Sequence, residues 1–190
     1  MVPEAQLKET EHGLVPTGEG WFVLNARDAR WGHRPGLGTF PSFLGEMIFP
    51  QLGVGLDVLE PGEPMSMYHW ESDQEDFLVL FGEALAIVEG EERLLRQWDL
   101  VHCPPRTNHV IIGAGDGPCV VFGVGARWTH TRRTPEGGME GRPGYSAYAV
   151  DEAALRHGAG VEEETEDPGA AYARFPPMER MPYREGLLPD

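Results

Sequence analysis

A chain of 190 residues accommodates one domain with a sizeable core and some decoration. Its net charge of −16 argues against nucleic-acid or anionic-membrane partners, since either needs a basic face. With 25 glycines and 17 prolines beside 41% hydrophobic residues, the composition predicts many turns, and short strands rather than long helices.

The first residues, MVPEAQLKETEHG, are polar and acidic and lack the apolar core of a signal peptide; no apolar run approaches the ~18 residues that would span a bilayer. The expectation is a cytoplasmic protein. Residues 1–44 read as an N-terminal arm and loop. Within it, WFVLN (Trp21 to Asn25) is a candidate strand, suited to pairing with the sheet of a second chain in a homodimer. NARDARWGHRPGLG (Asn25 to Gly38) has the Gly, Pro and charge density of a long loop.

Residues 45–127 change character. GVGLDVLE, MSMYHW, FLVLFG, ALAIVEG, ERLLRQ, DLVHC, HVIIG and PCVVFGVGA follow one another with PGEP, ESDQ, PPRT and AGDG as turns. About eight strands at this spacing leave no room for crossover helices and predict an all-β antiparallel jelly-roll barrel. Cys103 and Cys119 lie in two of these runs and read as reduced, small core residues. The glycines of IIGAGDGP mark a hairpin turn, because no helix follows them to form a phosphate cradle.

Residues 128–190 begin as a polar loop. A short helix is predicted over VDEAALRHG (Val150 to Gly158), with Asp151 as N-cap or first-turn acid and Gly158 as C-cap. The acidic block Glu162 to Asp167 reads as a solvated face. The tail PPMERMPYREGLLPD reads as extended or disordered.

The chemistry concentrates in MYHWESDQEDFLVLFGE (Met67 to Glu83). Alternation along a strand puts His69 and Glu71 on one face, with Met65 and Met67 before them. Across the turn-forming SDQ, a hairpin would return Glu75 beside His69, on the face of Phe77, Val79 and Phe81. His109 opens HVII far along the chain, with Ile111 on its face. Two imidazoles and one or two carboxylates inside a barrel each lose several kcal/mol of hydration, and a divalent cation offsets that loss. A metal-free barrel with a polar, water-filled pocket is the alternative. His102 reads as a hydrogen-bonded or outward residue, His12, His33, His130 and His157 as solvated, and Tyr68 and Trp70 as packing residues. Arg93, Arg96 and Arg106 are candidates to hold an anionic substrate.

With these residues in view, the segment from Leu56 to Val124 resembles the cupins. The first cupin motif, G(X)5HXH(X)3,4E(X)6G, is met by Gly62, His69, Glu71, Glu75 and Gly82, with Glu71 in place of the second histidine and one extra residue before His69. The second, G(X)5PXG(X)2H(X)3N, is met by Pro104 and His109. Trp98 and Arg106 stand at its two glycines and Gly113 at its asparagine.

The resemblance implies a double-stranded β-helix that holds one divalent metal, Fe(II), Mn(II), Ni(II) or Zn(II), on His69, Glu75, His109 and Glu71. If Glu71 does not ligate, the other three resemble the facial triad of two histidines and a carboxylate, and Glu71 becomes a candidate catalytic base. The implied activity is dioxygenase-, decarboxylase- or isomerase-like chemistry on a small polar organic molecule. A non-catalytic metabolite-binding cupin module is the alternative, and metal-free isomerisation with histidine as base a third reading.

Overall fold

The computed structural model describes residues 1–18, 20–44, 49, 51–127, 132–133, 139–140 and 146–189. His130 and most of the polar loop after Arg127 lie outside the described residues.

Turn signals and apolar runs divide the chain into short strands. At the N-terminus β1 (Gln6–Thr10) and β2 (Gly13–Thr17) form a hairpin, followed by β3 (Trp31–His33) and β4 (Thr39–Pro41). The central segment supplies β5 (Leu52–Leu59), β6 (His69–Glu71), β7 (Glu75–Phe81), β8 (Glu83–Val88), β9 (Glu91–Arg96), β10 (Leu100–Cys103), β11 (His109–Ala114) and β12 (Cys119–Ala126). After them come β13 (Arg132–Arg133) and β14 (Met139–Glu140), then β15 (Ser146–Tyr148), α1 (Glu152–Arg156), α2 (Pro168–Ala171) and β16 (Glu179–Met181).

Two antiparallel sheets face each other, one in the order β10-β7-β12-β5-β4-β3-β16 and the other β15-β6-β11-β8-β9. This is the expected all-β jelly roll. Leu59, Phe77, Val79 and Val121 from the first sheet meet Ala84, Ala86 and Ile111 from the second in the central core, joined by the free, buried Cys103 and Cys119.

Strand β8 is buried on both faces because the C-terminal extension covers its outer side. There Leu85 and Ile87, with Val110, Ile112 and Tyr68, pack under Ala153 and Ala154 of α1. Asp151 caps that helix by accepting the Ala154 N–H at 2.9 Å. The C-cap itself is His157, and Gly158 follows it at φ 68°.

Four local expectations are corrected. WFVLN forms no strand within the chain: Trp21 makes one isolated bridge to Glu4, and Trp21 and Val23 are exposed. The run is apolar without a cross-strand partner to complete its ladder. The loop from Asn25 to Gly38 contains β3, whose Trp31 is buried against Val58 and Val120. The C-terminal tail is ordered through β16, which pairs with β3 and brings Met181 into the same cluster, with Tyr183, Leu187 and Leu188 packed on it. Within MSMYHW only the last two residues enter a strand.

Candidate metal centre and ligand cavity

His69 and His109 are placed by register. They are direct cross-strand partners on β6 and β11, so both side chains leave the sheet on the same face, with ring centroids 5.0 Å apart. Glu75 opens β7 after the Ser72-Asp73-Gln74 turn and reaches back from the opposite sheet. Its Oε2 lies 3.1 Å from His109 Nε2 and 3.9 Å from His69 Nε2. One donor atom from each of these three residues lies within 4.8 Å of the other two.

Backbone carbonyls set both imidazole orientations. His69 Nδ1 is 2.7 Å from the Met67 oxygen and His109 Nδ1 is 2.9 Å from the Thr107 oxygen. A carbonyl only accepts, so each Nδ1 carries the proton and each neutral ring turns its Nε2 lone pair toward Glu75. With both rings neutral, His109 Nε2 and Glu75 Oε2 are buried acceptors that face each other at 3.1 Å with no donor for either among the described residues. Converging lone pairs on buried, otherwise unsatisfied donors, with tautomers fixed from behind, fit a divalent cation.

Without such a cation the charges redistribute. Burial opposes a charge on His109, but hydrogen bonding to Cys103 and Glu75 outweighs it and pushes His109 up to about 10. Burial, and then the neighbouring His109, lower His69. The cluster therefore holds one proton where a metal would sit.

Glu71 stands apart from the three. Its Oε1 is 3.8 Å from His69 Nε2, and its side chain is 37% exposed at the cavity mouth. Burial and the neighbouring Glu75 push it up to about 7, with His109 and Arg127 opposing.

The motif positions where glycine is replaced keep the backbone that glycine would supply. Trp98 and Arg106 adopt φ of 76° and 69°, beside Gly62 at 84° and Gly82 at 74°. Arg106 also donates its backbone N–H to the backbone carbonyl of Glu71 at 2.7 Å, and its guanidinium stacks on Trp70, which secures the turn leading to His109.

Beside the three residues lies a cavity of about 280 Å³, lined by Asp57, Met65, Ser66, Phe77, Ser146, Tyr148 and Tyr172 as well as His69, Glu71 and Glu75. Glycines carve it. Gly55 faces Gly123 and Gly53 faces Gly125 across β5 and β12, and a Cβ on Gly123 would press on Met65 and Phe77 at 3.1 and 3.3 Å.

Several of these lining residues escaped sequence reasoning. Asp57 is an inward carboxylate in an otherwise apolar strand, a signal legible in GVGLDVL. Tyr148 and Tyr172 had none, because the extension brings them in: β15 pairs with β6 so that Tyr148 lies opposite His69, and Tyr172 accepts the Met67 N–H at 3.1 Å. Burial raises both phenols.

Of the two methionines read as sharing the His69 face, Met65 lines the cavity while Met67 packs against Tyr148, Val161 and Ala171, since residues 64–68 follow no regular strand. Phe77 and Val79 share Glu75's face in the core, and a register shift at Val120 and Val121 leaves Phe81 exposed. His102 faces outward and bonds Asp76 at 2.6 Å. Arg93 is exposed on β9, and none of Arg93, Arg96 and Arg106 lines the cavity.

Comparison with known proteins agrees with this geometry. The family model described as the cupin domain matches residues 55–125. The chain carries a cupin domain. The cupin segment thus runs from within β5 to the end of β12 and contains all of His69, Glu71, Glu75 and His109.

Among solved structures, a protein from Silicibacter pomeroyi, described as a sugar phosphate isomerase of the cupin superfamily, is 22% identical, with 76% of this chain and 81% of that one covered and a TM-score of 0.46. A protein from Acidithiobacillus ferrooxidans is 25% identical over 49% of this chain and 62% of its own, less than two thirds of its length, at a TM-score of 0.45. An RmlC-like cupin with a double-stranded β-helix from Methanocaldococcus jannaschii is 19% identical, with 41% and 72% covered and a TM-score of 0.38. No curated protein sequence matches the chain. No helix among the described residues is long and apolar enough to cross a membrane.

Proposed function

We propose that this cupin is a metalloprotein that binds one divalent ion on His69, Glu75 and His109 and acts on a small polar organic molecule in the adjoining cavity. The observation that carries the reading is the convergence of three donor atoms within 4.8 Å, two of which, Glu75 Oε2 and His109 Nε2, are buried and face each other at 3.1 Å. Two imidazoles and one carboxylate leave positions open for a substrate and suit Fe(II), Mn(II), Ni(II) or Zn(II). A metal held there supplies Lewis-acid polarisation and a template for substrate, the basis of dioxygenase-, decarboxylase- or isomerase-like chemistry.

The chain's own residues complete the site. Met67 and Thr107 carbonyls hold the imidazoles with Nε2 inward. Glu71 stands at the cavity mouth beside His69 and lines the cavity, the position of a group that takes a proton from a bound molecule and returns it. Phe77 and Tyr148 flank the rings of His109 and His69 at 5.2 and 5.7 Å and limit the access of water. In this reading Glu71 is the catalytic base rather than a fourth ligand, because it lies outside the three-donor group.

Metal content measured on chain purified without chelators tests the proposal. About one ion per chain supports it; wild-type chain that takes up no Fe, Mn, Ni or Zn overturns it and leaves a metabolite-binding module.

A further inference from the structure

Asp57 is the group in the cavity with no assigned work. It sits on β5, whose Gly55 and Leu59 share its inward face, while Leu56 and Val58 turn out to the covering cluster. It is only 9% exposed, it lines the cavity, and among the described residues no hydrogen bond or ion pair reaches its carboxyl. Its nearest neighbours include glycine positions: a Cβ on Gly55 would lie 3.4 Å from Oδ2 and one on Gly38 3.7 Å from Oδ1. A buried carboxylate without a partner costs several kcal/mol, so a group kept there needs a counter-charge from elsewhere.

The other lining residues narrow what that counter-charge is. Three carboxyl groups, Asp57, Glu71 and Glu75, face the cavity, and neither Lys nor Arg is among its described lining residues. A divalent metal on the histidine cluster uses Glu75, which leaves Asp57 and Glu71. Arg127 influences Glu71 electrostatically but directs its guanidinium to the Phe49 oxygen at 2.8 Å. A phosphate or carboxylate ligand would meet acids without the guanidinium fork that such anions use. Phe77, Tyr148 and Tyr172 add aromatic faces, the surface on which alkylammonium groups are held.

We propose that the ligand of this cavity is a small organic cation, an alkylammonium compound, with its charge against Asp57 and its alkyl groups on the rings of Phe77, Tyr148 and Tyr172. The proposal rests on reading this cavity as the site of the metal-dependent function. Burial alone pushes Asp57 up to about 7, the condition of a carboxyl whose counter-charge arrives with a ligand.

The experiment is calorimetric titration of the metal-loaded full chain at pH 8 with choline, with its uncharged isostere in which carbon replaces the quaternary nitrogen, and with pivalate. Choline is expected to bind at least about tenfold more tightly than the isostere, and pivalate most weakly. Asp57→Asn is expected to remove the preference for choline while metal content stays at that of wild type.

Equal binding of choline and isostere, tighter binding of pivalate, or no choline binding at millimolar concentration overturns the proposal. The wild-type comparison stands even if the variant folds poorly. Metal content, read separately, distinguishes the two failures: metal present without discrimination sinks the cation proposal alone, and discrimination without metal sinks only the metal reading.

Discussion

His69 and His109 lie directly opposite each other on β6 and β11, forty residues apart in sequence, and Glu75 Oε2 faces both of their Nε2 atoms. The relationship is one of sheet register. A slip of one residue on either strand would turn one imidazole to the opposite face, under α1, and dissolve the cluster.

Metal content therefore divides the site. His109→Ala and Glu75→Ala are each expected to lose the ion, because each removes one of three donors and leaves the others too few. Glu71→Ala is expected to keep about one metal per chain but to lose turnover about 100-fold or more if Glu71 moves the proton. Elemental analysis beside an activity assay checks both; loss of the ion in Glu71→Ala would make Glu71 a fourth ligand.

The stability of Asp57→Asn depends on pH in a definite direction. Unfolded, Asp57 releases its proton near 3.8; folded, it keeps it to about 7. Between those values the native state binds more protons, so this group's contribution falls as pH rises through the window and then levels. At about 1.4 kcal/mol per pH unit, ionising the buried carboxyl costs on the order of 4 kcal/mol. The ligand-free variant should match wild type near pH 4 and exceed it by several kcal/mol at pH 8, measured by urea unfolding at both.

Trp98 is 66% exposed and held at φ 76°. Trp98→Gly relieves that strain without emptying the core, so stability should rise by about 1 kcal/mol, against the usual cost of introducing glycine. Thermal unfolding reads the sign.

Asp151→Ala removes the acceptor that caps α1 at the Ala154 N–H. The expected loss is about 1 kcal/mol. Because α1 covers Leu85, Ile87 and Val110 on the outer face of the second sheet and touches no cavity residue, metal content should not change.

By itself the sequence determined the class of the fold and named the residues of the candidate site. Apolar runs alternating with PGEP, ESDQ, PPRT and AGDG suit an antiparallel barrel, and the match of His69, Glu75 and His109 to the cupin motifs made them candidate ligands before any geometry existed. Local patterning suffices for the strands and turns because alternation and turn chemistry act over a few residues.

Only the tertiary structure decided the rest. It separated Glu71 from the three-donor group, set the glycine pairs of β5 and β12 face to face to hollow the cavity, and brought Asp57, Tyr148 and Tyr172 to its wall. It also ordered the tail as β16 while leaving the apolar WFVL segment without a ladder. The physical reason is common to all of these. Each depends on which strand lies beside which, and a backbone or side chain finds its partner across distances in sequence that no local pattern encodes.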